Sequence, residues 1–179
     1  MTIRMFTPAA LAAMLALAAC GGDRGAENAA SNMTNAADNA QAAADNAMAA
    51  ANAANAAAAA SGLSRYVGKY PFDKVGGHSW NDDPAVVSAV TAAVGDAKVR
   101  QLVLEAEGPS SPIVEKDGRV LSWACEAHNC GPHNWTTMID AVSGAAEICY
   151  VNEEAAPGKT RWFKGGKEEV RTAPCPKAE

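Results

Sequence analysis

Lys116-Asp117-Gly118-Arg119-Val120-Leu121-Ser122-Trp123-Ala124-Cys125-Glu126-Ala127-His128-Asn129-Cys130-Gly131 is the stretch whose reading decides the fold. Asp-Gly between two strand-like runs is a tight hairpin signal, because the turn needs residues that tolerate positive φ. The run after it, Arg119 to Ala124, reads as a strand, and Pro112 to Glu115 as a short strand before it. The second strand runs straight into a loop bracketed by two cysteines, Cys125 and Cys130.

Downstream, Asn134 to Ala141 and Ala145 to Asn152 flank Val142-Ser143-Gly144 and read as a further hairpin, and Arg161-Trp162-Phe163 begins a last strand. Upstream the period is helical. Asn81-Asp82-Asp83-Pro84 offers an acidic cap and a proline suited to the first helical position. Val86, Val87, Val90 and Val94 then form one apolar stripe that Gly95 ends. Ala97 to Glu105, with Val99, Leu102 and Val103, is a second helix, broken by Gly108-Pro109-Ser110-Ser111-Pro112. Helices followed by hairpin-linked strands predict an α+β domain: an antiparallel sheet, N-terminal helices packed on one face, and the cysteine loop projecting from it.

The rest of the chain differs sharply in composition. Residues 25–62 are mostly Ala and Asn and lack the large apolar side chains a core needs. Ala is the best helix former, and Asn32, Asn35, Asn39 and Asn46 recur at three-, four- and seven-residue intervals. The expectation is a low-complexity spacer with helical tendency. After Gly62 come all four Trp, all three Tyr and all three His, enough material for one domain. The formal charge of −5 is modest and its signs are mixed, so no basic face points to nucleic acid.

At the other end, Arg4 precedes an apolar run from Met5 to Ala19, the layout of a secretory signal. Its close, Leu17-Ala18-Ala19-Cys20, resembles the lipobox of bacterial lipoprotein precursors. That resemblance implies cleavage before Cys20 and acylation of it, and two or more acyl chains hold a protein on a membrane. Gly21 and Gly22 follow, without the Asp that favours inner-membrane retention, so the expected place is the outer membrane, facing the periplasm. The division expected is thus 1–19 signal peptide, 20–62 lipidated cysteine and tether, and 63–179 the α+β domain.

Of five cysteines, Cys20 is set aside for lipid, leaving Cys125, Cys130, Cys149 and Cys175. In an oxidising compartment an even number reads as two disulfides with three possible connectivities, of which Cys125 with Cys130 and Cys149 with Cys175 is preferred.

Cys125-Glu126-Ala127-His128-Asn129-Cys130-Gly131 resembles the hallmark of the inhibitor of vertebrate lysozyme family, a Cys-Lys-Pro-His-Asp-Cys type loop closed by its own disulfide. Cys125, His128 and Cys130 match. The resemblance implies a protein inhibitor whose loop enters the cleft of a C-type lysozyme or related muramidase, with His128 against the two catalytic carboxylates. The departures are Glu126, Ala127 and Asn129 where the family has Lys, Pro and Asp. Glu126 would bring negative charge toward an acidic cleft, which costs affinity unless the charge is met.

Other readings use the same residues. Cys125, His128, Cys130 and His133 form C-x₂-H-x-C-x₂-H, a possible zinc or copper set, though oxidised thiols would leave only His128 and His133. A cysteine nucleophile lacks an acid/base partner set, Asp82 and Asp83 read as caps, and His78 as a loop residue, so no enzyme, cofactor or metal is expected. Trp123, Trp135 and Trp162 read as core or sheet-face residues. The competing function is a non-inhibitory envelope lipoprotein that binds another protein partner.

Overall fold

The computed structural model describes residues 23–178; the expected signal peptide, 1–19, and Cys20 lie outside the described residues. The described residues divide into two compact units, the first ending at Asp45 and the second beginning at Asn46. Helix α1 (Asp23–Ser61) starts in the first and ends in the second. The Ala/Asn tract is therefore helical, and Asn35, Asn39 and Asn46 are exposed along it. Among the described residues no helix is long and apolar enough to cross a membrane.

In the second unit a short 3-10 turn, Leu63–Tyr66, leads through a loop to α2 (Pro84–Ala93) and α3 (Ala97–Glu105). Asp83 caps α2, its Oδ1 accepting from the Ala85 N–H at 2.9 Å with Pro84 at the first helical position. Its other oxygen takes the Tyr66 hydroxyl at 2.8 Å and an ion pair with Arg65, so the capping residue also fastens the preceding turn. Burial and the Asp83 carboxylate hold the Tyr66 hydroxyl above its ordinary pKa. Asp96 caps α3 through the N–H groups of Lys98 and Val99.

Six strands follow: β1 (Val114–Lys116), β2 (Arg119–Cys125), β3 (His133–Asp140), β4 (Ala146–Asn152), β5 (Thr160–Lys164) and β6 (Lys167–Arg171). They form one antiparallel sheet in chain order. At the Asp-Gly turn both Asp117 (φ 53°) and Gly118 (φ 71°) are left-handed, the backbone that a two-residue hairpin requires.

Alternation along the strands gives the sheet two apolar faces. Val120, Ala124, Trp135, Ile139, Ile148, Tyr150 and Phe163 face α2 and α3, meeting Val86, Val90, Val99 and Val103 in the main core. Leu121, Met138, Cys149 and Trp162 form a smaller cluster on the other face with Cys175. The chain after β6 crosses that face. Cys175 is bonded to Cys149, Thr136 Oγ1 donates to the Pro176 carbonyl at 2.6 Å, and Thr160 Oγ1 to that of Ala173 at 2.8 Å. The preferred pairing of Cys149 with Cys175, which fastens the C-terminal tail to a strand, is thus found, whereas β6 and the threonine bonds along the strap were not foreseen, β1 starts two residues later than expected, and α2 ends before Gly95.

Candidate functional site

The end of the sheet that carries the cysteine loop is built from β2 and β3, paired in register from Arg119 with Asp140 to Cys125 with Asn134. Seven residues, Glu126 to Pro132, make the turn between them. A disulfide joins Cys125 to Cys130, with Cα atoms 4.7 Å apart. Cys125 is fully buried, whereas Glu126, Ala127 and His128 are exposed. The ring is thus rooted in the core and open at its tip.

Hydrogen bonds fix the turn inside the ring. The Asn129 N–H donates to the Glu126 carbonyl at 3.0 Å, making Glu126 to Asn129 a four-residue turn, and the His133 N–H donates to the Asn129 carbonyl at 2.9 Å. His128 occupies the third turn position at φ 65°, a place where turns of the second type put glycine. Among the described residues only Asp117 and His128 are non-glycine residues at positive φ. A side chain there costs on the order of 1 kcal/mol or more, and such backbone strain concentrates at binding and catalytic sites.

The base of the loop is held from three sides. The Cys125 N–H donates to the Pro109 carbonyl at 3.0 Å, and Gly108 packs so closely that a Cβ on it would stand 2.0 Å from the Cys125 oxygen. Asn134 Nδ2 donates to the carbonyls of Cys130 and Gly131, both at 3.0 Å. The Glu153 N–H donates to the Pro132 carbonyl at 2.9 Å. The break after α3, read in the sequence only as a helix stop, therefore serves as a rail beside β2.

Glu126 turns its carboxylate back onto the protein. Its Oε2 lies 2.7 Å from Asn129 Nδ2 and 2.7 Å from His133 Nδ1, and His133 Nε2 lies 2.7 Å from the Tyr150 hydroxyl. The Asn129 bond first, and the His133 bond second, hold the Glu126 carboxyl below the usual carboxylate range. Glu126, Asn129 and His133 are thus brought together, while the His128 imidazole stays in solvent.

The alternative chemistries find less here. The sulfurs of Cys125 and Cys130 are joined to each other, and both ring nitrogens of His133 are engaged, so the four-ligand set is dismantled. Among the described residues no three His, Cys, Asp or Glu side chains are grouped to hold a metal. His78 pairs with Asp82 at 3.5 Å in the loop before α2, and Asp82 caps that loop through the Ser79 N–H. Trp135 and Trp162 are buried on opposite faces of the sheet and Trp123 is half-buried.

No curated protein and no solved structure matches the chain. From α2 through β6, residues 85–173 match the family model described as inhibitor of vertebrate lysozyme (Ivy), and it is to that family that this part of the chain, cysteine loop included, is similar.

Proposed function

We propose that the domain inhibits a C-type lysozyme or related muramidase by inserting the Cys125–Cys130 loop into the active-site cleft, with His128 leading. The family match supports a lysozyme-inhibitor role in general, a protein partner, and a binding rather than a catalytic task. The observation that carries the finer reading is His128 itself: an exposed imidazole kept at positive φ at the tip of a closed, hydrogen-bonded ring. A retaining glycosidase holds its two carboxyl groups about 5 Å apart, and an imidazolium offers two N–H donors on opposite sides of one small ring. A ring already closed loses little further freedom on docking, which favours affinity.

The inhibitor would be presented from the bacterial cell envelope, anchored by lipid on Cys20, with 20–62 as spacer and 63–179 facing the periplasm from the outer membrane. Mass spectrometry of the envelope-extracted protein tests this, since an unacylated residue at Cys20 would refute the anchor.

Two substitutions test the loop. His128→Ala removes the imidazole and should weaken inhibition at least about 30-fold, the scale of a hot-spot residue worth ~2 kcal/mol or more. His128→Gly removes it and relieves the backbone at the same time, so stability should stay level or rise while inhibition falls as far. Assayed on the oxidised protein against C-type lysozyme and bacterial lytic enzymes, undiminished inhibition by both variants would sink the role of His128.

A further inference from the structure

Glu126 is the residue that should spoil the proposed contact, because it sets a carboxylate two positions from His128. Its surroundings give it another task. Both bonds it accepts, from Asn129 Nδ2 and from His133 Nδ1, land on the same oxygen, Oε2. Beyond the ring of His133 stands the Tyr150 hydroxyl, which accepts from Asn152 Nδ2 at 3.2 Å. One placement of protons satisfies the whole chain: Asn152 donates to Tyr150, Tyr150 to His133 Nε2, and His133 Nδ1–H to Glu126. It runs from β4 through the first residue of β3 to the first residue of the loop. Tyr150 belongs to the main core, with only 7% of its surface exposed, so the far end of the chain is rigid. The Trp135 ring, steeply inclined to that of His133 with the two centroids 6.1 Å apart, backs it.

We propose that Glu126 is a positioning residue, which with His133 ties the turn carrying His128 to the core of the sheet. This rests on the inhibitory reading of the loop and deepens it. Asn129 acts from inside the turn and His133 from the sheet, so the carboxylate joins the two. The negative charge is engaged within the domain rather than directed at the target. A long acceptor, not a cation, is what this version of the loop requires at its first position.

Because a single oxygen accepts both bonds, glutamine can take them through its one carbonyl oxygen, while alanine can take neither. The test compares Glu126→Ala with Glu126→Gln in the full oxidised chain. Amide exchange is read at Asn129 and His133 in the free protein, and inhibition against a C-type lysozyme. Glu126→Ala should speed exchange at those two amides about tenfold and weaken inhibition. Glu126→Gln should restore the slow exchange and recover inhibition relative to the alanine variant. His133→Phe, which breaks the chain from the sheet side, should reproduce the faster exchange and add little to Glu126→Ala. Unchanged exchange in Glu126→Ala would overturn the proposal. So would a gain of inhibition in both Glu126 variants without a change in exchange, since Glu126 would then act by charge alone. The exchange comparison decides the positioning role even if the parent protein inhibits no lysozyme, an outcome that would overturn only the inhibitory reading.

Discussion

Cys125–Cys130 closes a ring across five positions, with three of the enclosed side chains in solvent, whereas Cys149–Cys175 spans 26 positions and lies with Cys149 wholly buried beneath the chain after β6. One bond shapes a surface and the other closes a core. In the chain-entropy model the two closures contribute roughly 2 and 3.5 kcal/mol respectively. The difference teaches that the domain separates its two requirements. The helix-covered face and the strapped face make the sheet a rigid platform, and the loop is preorganised on it by local covalent and hydrogen bonds.

The comparison breaks first, if it breaks, at the larger bond. Replacing Cys149 and Cys175 together by Ala should lower unfolding free energy by roughly 3.5 kcal/mol in urea titration, while the fraction still folded keeps its inhibition. Replacing Cys125 and Cys130 by Ala should cost only roughly 2 kcal/mol in stability but weaken inhibition beyond anything the lost stability explains. A reversed pattern, with inhibition following the strap and not the ring, would show that the loop is not the contact.

Gly108→Ala sharpens the contrast without touching a cysteine. The added Cβ would overlap the Cys125 carbonyl, a backbone atom that side-chain rotation cannot clear. Shifting the root of the ring should cost about 1–2 kcal/mol and reduce inhibition, with the strap's disulfide unaltered. Chemical shifts confined to the loop and the 108–111 segment would check it.

Acid should have the smallest effect. Asp96 and Glu168 are held below their ordinary values chiefly by Arg161, and Asp140 by the Ser143 N–H. Glu126 is lowered too. Groups depressed in the folded state contribute stability above their unfolded values, near pH 4, and lose it as pH falls through the folded ones. Unfolding midpoints should therefore be level from pH 7 to about 5 and decline below about 4.5. Arg161→Met should flatten that decline, and a midpoint that rises on acidification would contradict the assignment.

Much of the fold was legible because its signals are local. The Asp83 cap with Pro84, the helix from Ala97 to Glu105, and the Asp117-Gly118 turn depend on residues close together in sequence. Strand β6 was hidden because Lys167, Glu168, Glu169 and Arg171 give it a charged, exposed pattern, the dress of an edge strand rather than of a core one. Gly165-Gly166, both at positive φ, was the available clue to that hairpin. The strap was legible at its disulfide, Cys149 with Cys175, through cysteine arithmetic, but its course was not, since its bonds from Thr136 and Thr160 to backbone carbonyls follow no sequence period. The loop was legible as a ring with a histidine. What Glu126 does inside it depends on the register that sets His133 and Trp135 against Asn152 and Tyr150, which only the folded sheet supplies.

Strand order equal to chain order has a kinetic meaning as well. Each strand meets the neighbour made just before it, so the sheet can grow one hairpin at a time with short loop closures, the condition for fast folding in a β-rich domain. Cys125 meets Cys130 within the first such closure after β2, and Cys149 must wait until β5 and β6 have brought Cys175 back across the sheet. During oxidative refolding the ring that presents His128 should thus close early, and the strap should be the last part of the molecule to lock.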